Sequence, residues 1–186
     1  MSSGPTKFSV SSLHGSAAIS DGECPVNISP SSQGAIISSK KESGSGKVHF
    51  ALPTLPSPPD ESLTGHATMS VQLEISLSPH PQPDPNALCK VARVELHAGR
   101  DQLGQWDAGE KNNDWSIDDD IRIPVWSDIA GAGDNVFNDN PRGFCVTLTL
   151  EFGGGLSVLI SSVTLIQSVE SLPKPKKRFG ETCVVI

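Results

Sequence analysis

The chain has 186 residues, of which 36% are hydrophobic and 5% aromatic, and its formal net charge is −7 at pH 7. This length and hydrophobic content can build one domain around a single core. The negative charge argues against nucleic-acid binding, and the longest apolar stretch, residues 156–166, is far shorter than the roughly 20 residues of a membrane-spanning helix.

The N-terminal quarter of the chain, residues 1–46, is rich in serine and glycine and holds only short apolar pairs such as Ile36-Ile37. This composition predicts a weakly ordered segment that contributes no more than one edge strand. The first 20 residues contain no continuous apolar run, so we expect no secretory signal peptide. We therefore place the folded domain at residues 47–170 and a separate tail at residues 171–186.

Alternation of apolar and polar residues, the pattern of half-buried strands, begins at Lys47 and recurs along the chain. Clusters of proline interrupt it at residues 53–59 and 79–85, where strands cannot pair. The apolar positions are Val48, Phe50 and Leu52, then Met69, Val71, Leu73, Ile75 and Leu77, then Ala92, Val94 and Leu96, then Ile121, Ile123 and Val125, then Phe144, Val146, Leu148, Leu150 and Phe152, and finally Leu156, Val158 and Ile160.

Three local features predict how these strands connect. The glycine run 153–155 lies between two alternating segments and predicts a hairpin. The apolar phase shifts near Ser161-Ser162, which indicates a bulge or a strand that passes between sheets. Pro124 indicates an edge strand or a bulge.

Short alternating strands, frequent turns and no sustained helical period predict an all-β fold. We expect an antiparallel β-sandwich of roughly seven to nine short strands with flexible N- and C-terminal tails. The body also carries four short motifs, at residues 48–54 (VHFALPT), 91–96 (VARVEL), 113–115 (NDW) and 143–146 (GFCV). On these motifs it resembles an uncharacterised family of small single-domain β-sandwich proteins from fungi and bacteria, a resemblance that implies a fold and no activity.

The segment from Asp101 to Asp139 holds ten of the 21 acidic residues and all three tryptophans. Ca²⁺ takes six to eight oxygen ligands, so Asp-rich loops at one end of a sandwich are a candidate site for it. The consecutive Asp118-Asp119-Asp120 lacks the spacing of a calcium loop, which favours a solvated acidic loop without a metal.

Tryptophans beside Asp and Asn can stack on a sugar or close the end of a core. The candidate ligand-binding residues are Trp106, Trp115, Asp114, Asp118 and Asp120.

A second set of polar residues lies on the strands themselves. We expect His49, Arg93, Glu95 and His97 on the polar faces of neighbouring strands, either as acid–base groups or as ordinary surface residues. Cys89 and Cys145 are also expected away from the apolar faces. The sequence contains no G-x-S-x-G, H-E-x-x-H or dinucleotide-binding motif.

The last four residues, CVVI, form a C-a-a-X pattern that predicts prenylation of Cys183, and Ile186 favours geranylgeranyl over farnesyl. The basic residues just upstream are Lys174, Lys176, Lys177 and Arg178. They would attract an anionic leaflet. The tail resembles those of Ras-like and Rho-like small GTPases, although the chain has no G-x-x-x-x-G-K-[ST] motif.

These features lead to one main hypothesis and two alternatives. The main hypothesis is a non-enzymatic binding or adaptor module, anchored through Cys183 to the cytoplasmic face of a membrane. Its partners would be a prenyltransferase, the membrane, and a protein or small-molecule ligand, but not nucleic acid. The alternatives are a small enzyme with a pocket for a hydrophobic substrate and a calcium-dependent lipid-binding module. We expect no cofactor, and calcium is the one alternative.

Overall fold

The computed structural model describes residues 6–40, 44–53, 67–80, 89–109, 115, 120–129, 143–153 and 157–171. Within this part of the chain there are eleven strands, one 3-10 turn at Gly15–Ala17 and no α-helix. No helix among these residues has the length and apolarity needed to cross a membrane. The strands are β1 Thr6–His14, β2 Ile19–Ser20, β3 Val26–Ser31, β4 Gly34–Ser39, β5 Gly44–Leu52, β6 Ala67–His80, β7 Cys89–Ala98, β8 Asp101–Asp107, β9 Ile121–Ile129, β10 Phe144–Phe152 and β11 Ser157–Ser171.

The strands form two antiparallel sheets, which confirms the predicted all-β sandwich. The six-stranded sheet has the order β3-β4-β11-β6-β9, and β1 also pairs with β11. The five-stranded sheet has the order β2-β5-β10-β7-β8. The strand count exceeds the predicted seven to nine because the N-terminal segment is part of the sandwich.

The prediction that residues 1–46 contribute no more than one edge strand was wrong. Residues 6–39 form β1 to β4, and the domain begins well before Lys47. Val26, Ala35 and Ile37 from this segment are buried in the core. A strand needs only one apolar face to pack against the core, so the serine-rich composition of this segment concealed its strands.

The predicted hairpin around the glycine run was also wrong. Strand β10 pairs with β5 and β7 in the five-stranded sheet, whereas β11 pairs with β1, β4 and β6 in the six-stranded sheet. The chain therefore crosses from the centre of one sheet to the centre of the other. An apolar alternation on both sides of a turn does not distinguish these two connections, because both strands bury one face in the same core.

The strand pairing shifts register at three places for which the sequence made a prediction. The pairing of β11 with β6 shifts between Ile160 and Ser162, which confirms the predicted bulge. Pro124 lies on β9, an edge strand whose register with β6 also shifts. In β7 an extra residue, Ala92, interrupts the pairing with β10, so Val91 is buried and not Ala92 as the alternation predicted.

The inner faces of the two sheets form a single hydrophobic cluster. Its largest fully buried apolar side chains come from both sheets: Phe50, Leu96, Leu148 and Leu150 from one, and Ile37, Leu73, Ile75, Ile121, Ile123, Ile160 and Leu165 from the other. Burial of such side chains contributes roughly 1.5–3 kcal/mol each.

Close backbone packing near the β11 bulge requires glycine at residue 15. A β-carbon at Gly15 would overlap the carbonyl oxygen of Ile160, and one at Gly34 would overlap the same atom. The 3-10 turn, the start of β4 and the first part of β11 therefore meet at Ile160.

We expect Gly15→Ala to destabilise the protein by about 1–3 kcal/mol, because the backbone of β11 must move to admit the methyl group. Gly22→Ala is the matched control, since a β-carbon at Gly22 meets no atom within 4 Å. Its effect should stay within about 0.5 kcal/mol. Chemical denaturation of both variants measures the difference, and equal stabilities would contradict the packing argument.

Candidate functional site

Polar side chains cover the outer face of the five-stranded sheet, which turns away from the core. Adjacent strands align its residues in rows. One row is Ala51, Cys145, His97 and Gln102, the next is His49, Thr147, Glu95 and Gln105, and the third is Lys47, Thr149, Arg93 and Asp107. Lys90 and Glu151 lie opposite each other in a fourth row.

The structure places all four predicted polar-face residues, His49, Arg93, Glu95 and His97, on this outer face. No two of these four residues are direct neighbours on adjacent strands. His49 and Glu95 share a row, but Thr147 of β10 lies between them. Residues two strands apart are separated by about 10 Å. His49 and Arg93 are instead bonded to Asp21 and Asp107, which were not among the predicted site residues.

His49 links a carboxylate to a hydroxyl. Its Nε2 lies 3.2 Å from Oδ2 of Asp21, and its Nδ1 lies 2.9 Å from Oγ1 of Thr147. A carboxylate can only accept a hydrogen bond, so Nε2 carries the proton, and in neutral His49 the Nδ1 atom accepts from the Thr147 hydroxyl. Asp21 was missed because it is 28 residues from His49 in sequence; only its Asp-Gly turn signal marked it.

Asp21 is held in place by the backbone that follows it. Its Oδ1 accepts hydrogen bonds from the backbone N–H groups of Glu23 at 2.6 Å and Cys24 at 3.3 Å. The hydrogen bond from Glu23 is the main cause that lowers the pKa of Asp21, with Cys24 and His49 adding to it. Asp21 therefore stays ionised and orients the imidazole of His49.

The order carboxylate, imidazole, hydroxyl is also that of a hydrolytic triad, but Thr147 does not have the surroundings of a nucleophile. Its side chain is only 4% exposed, and it lies in the middle of β10, which pairs with a strand on each side. Strand pairing engages the neighbouring backbone N–H groups, which a hydrolase would use to stabilise an oxyanion. The arrangement therefore fixes side chains on the outer face and does not support acyl transfer.

A second linked group lies on β7 and β8. Nε of Arg93 donates to Oδ1 of Asp107 at 2.5 Å, and Nε2 of Gln105 donates to Oδ2 of Asp107 at 3.0 Å. The hydrogen bond from Arg93 is the largest cause that lowers the pKa of Asp107, followed by the one from Gln105. Nearby, Nζ of Lys90 lies 2.9 Å from Oε2 of Glu151.

Between these groups the outer face is indented by a groove of about 410 Å³, which we call the Thr149 groove. Small side chains and the β7 bulge at Ala92 leave this space open. Its lining residues are Ser45, Lys47, Lys90, Ala92, Arg93, Asp107, Ala108, Thr149 and Glu151.

Thr149 is the groove residue that has a buried side-chain oxygen without a hydrogen-bond partner. Its Oγ1 is buried and makes no hydrogen bond, and it is the one such side-chain atom found among the described residues. Thr147, two residues earlier on the same face, bonds to His49. A buried hydroxyl without a partner costs about 1–3 kcal/mol, so its presence in the groove calls for an explanation.

The predicted ligand site of tryptophans and aspartates is not assembled in the described part of the chain. Trp106 and Trp115 are partly buried and pack against the core, and the Trp106 ring covers Gly104. Asp120 is exposed, whereas Asp114 and Asp118 lie outside the described residues. Where side chains are described, no group of three or more His, Cys, Asp or Glu could hold a metal ion.

The described cysteines differ in where they face. Cys145 is on the outer face and half-buried, as the alternation predicted, but Cys89 lies in the core. Burial raises the pKa of Cys145, and it raises the pKa of Cys89 to about 11. Both thiols are therefore protonated at neutral pH and are weak nucleophiles.

The residues of the predicted membrane tether lie outside the described residues. They are Cys183 and the basic residues Lys174, Lys176, Lys177 and Arg178.

No protein-family model matches the chain, and no curated protein sequence matches it either. The resemblances of the body to small β-sandwich proteins and of the tail to prenylated GTPases stay predictions.

The two threonines of β10 allow a matched test of the unpartnered hydroxyl. We expect Thr149→Val to leave stability unchanged or raise it by up to about 1 kcal/mol, because the valine removes a buried polar atom without a partner. Thr147→Val should lower stability by about 1 kcal/mol, because it breaks the bond to His49. Chemical denaturation compares them, and a larger loss for Thr149→Val would show that its hydroxyl is bonded.

The lowered pKa of Asp107 predicts an acid-sensitive contribution to stability. The folded-state value lies below the unfolded value of about 3.8, so the contribution is complete above that value and is lost as pH falls through the folded-state pKa. Asp107→Asn should therefore lower the melting temperature at pH 7, and its difference from wild type should shrink below about pH 4.

The control for this prediction is Asp101→Asn, which removes the same charge at the exposed opposite end of β8. It should change the melting temperature less than Asp107→Asn at pH 7. A constant difference between Asp107→Asn and wild type from pH 7 to pH 2 would contradict the role of the ionised carboxylate.

Proposed function

We propose that this protein is a non-enzymatic binding module that a prenyl group on Cys183 tethers to the cytoplasmic face of a membrane. Its ligand or partner binds at the outer face of the five-stranded sheet. The observation that carries the proposal is the location of the polar groups. His49, Arg93 and their bonded partners line an open sheet surface, while the interior between the sheets holds fully buried apolar side chains.

An open face of this kind supports recognition better than catalysis. Asp21, His49 and Thr147 hold one another in fixed positions, and Arg93 is fixed by Asp107. Side chains that are positioned in advance lose little conformational freedom when a ligand binds, which favours affinity. Cys89, Cys145 and Thr147 lack the surroundings that activate a nucleophile.

The tail sequence supports the membrane tether. A single lipid chain gives only marginal binding, and each Lys or Arg near an anionic surface adds about 1 kcal/mol. The four basic residues at 174–178 can supply this second signal. Residues 1–172 carry ten basic and twenty acidic residues, so an anionic surface repels the domain while it attracts the tail. The lipid on Cys183 lies twelve residues beyond the end of β11, and twelve residues can span up to about 40 Å. The tail can therefore reach the membrane while the acidic domain stays away from it.

The tether predicts the distribution of the protein in cells. Full-length wild type should sediment with membranes, and Cys183→Ser should move most of the protein to the soluble fraction. Replacement of Lys174, Lys176, Lys177 and Arg178 by glutamine should give an intermediate distribution, because it removes up to about 4 kcal/mol of electrostatic attraction. Cell fractionation with immunoblotting measures all three.

Cys145→Ser is the control, because it removes a half-buried thiol and leaves the tail unchanged. It should behave as wild type. Mass spectrometry of the native C-terminal peptide should show a prenyl group on Cys183 and a free or methylated carboxyl group there after removal of the last three residues. An unmodified Cys183, or a Cys183→Ser variant that stays on membranes, would refute the tether.

A further inference from the structure

We propose that the Thr149 groove is a binding site for a small organic oxyanion, a phosphate or carboxylate attached to a polar body. This inference rests on the proposed binding function of the outer face and names the chemistry of its ligand. Neither a sequence motif nor a similarity to another protein marks the groove. It is defined by the buried Oγ1 of Thr149, the charges around it and the space above it.

A buried hydroxyl without a partner belongs to Thr149, which lines the groove. Thr149 is at the centre of its row, between Lys47 of β5 and Arg93 of β7. A hydroxyl that served the fold alone would have a protein partner, as Thr147 has in His49. A valine would suit a strand at least as well as an unbonded threonine. A ligand atom that accepts a hydrogen bond from Oγ1 would satisfy the group.

The charged residues that line the groove favour an anionic ligand. The groove is lined by three cations and two carboxylates. Asp107 is paired with Arg93 and Glu151 with Lys90, whereas Lys47 has no ion-pair partner among the described residues. The groove therefore carries one excess positive charge in a protein whose net charge is −7. A donor hydroxyl beside an ammonium group recognises an oxyanion, because charge-assisted hydrogen bonds to it are short and strong.

The volume of the groove indicates the size of the ligand that it can hold. A volume of about 410 Å³ corresponds to roughly a dozen non-hydrogen atoms if each takes about the volume of a water molecule. A phosphate or carboxylate group alone fills a minor part of it. The lining is mostly polar or charged, with Ala92 and Ala108 as the small apolar residues, so a hydroxylated body fits better than a hydrocarbon.

A set of three probes with the same carbon skeleton tests the proposal. Glycerol 3-phosphate, glycerate and glycerol carry a phosphate, a carboxylate and no charge, respectively. Each is titrated into the full-length protein at constant ionic strength, with amide NMR shifts as the readout. Site-resolved shifts are needed because phosphate-type salts stabilise folded proteins in general. We expect saturable shifts at Lys47, Ala92 and Thr149 for one or both anions and none for glycerol.

Variants separate a built site from general attraction to positive charge. Lys47→Gln and Thr149→Val should each weaken anion binding by about tenfold, the loss expected when one charge-assisted hydrogen bond is removed. Arg122→Gln is the matched control. It removes one positive charge from the six-stranded sheet, where Arg122 pairs with Glu74, and should change the affinity less than twofold.

Each outcome decides the proposal. Saturable binding of either anion that depends on Lys47 and Thr149 supports it, and the tighter probe identifies the head group. Shifts that do not saturate, equal responses to glycerol, wild-type affinity in Thr149→Val, or an equal loss in Arg122→Gln would overturn it. The titration needs no membrane, so its failure would leave the Cys183 tether standing, and a failed tether would leave the groove standing.

Discussion

The common core of the two sheets is the constraint on which the rest of the structure depends. Along β10, Val146, Leu148 and Leu150 point into that core, so Thr147 and Thr149 must point outward. A shift of one residue in register would exchange the two sets and bury hydroxyls among apolar side chains. The same packing that stabilises the fold therefore determines which side chains form the outer face.

The bulge in β7 shows how a local irregularity serves both faces. Val91 and Val94 are three residues apart, so in a regular strand without the bulge at Ala92 they would face opposite sides and one of them would point to solvent. With it, both valines are buried and Arg93 lies opposite Thr149, beside Asp107. The small side chain at the bulge also leaves the space that forms the groove. Core packing thus places the cation, and the irregularity makes room next to it.

The accuracy of the sequence predictions followed the range of the interactions involved. The alternation in β5, β6 and β10 is a local property and was sufficient to predict these strands and the sandwich. The connection of β10 to β11 depends on which sheet each strand joins, and the glycine run carries no such information. The link of Asp21 to His49 joins distant residues. The unpartnered state of Thr149 is a property of its neighbours in space, so no residue pattern could indicate it.

Electrostatics connects the groove to the tail. In physiological salt the field of a charge is screened over about 8 Å, so the single excess cation of the groove acts only on a ligand that has already entered it. At larger distance an approaching anionic surface meets the acidic body of residues 1–172 and is repelled. A membrane would therefore bind the basic tail and not the groove, and a small anion can enter the groove without competition from lipid head groups. The groove and the basic tail would then bind two different kinds of anion.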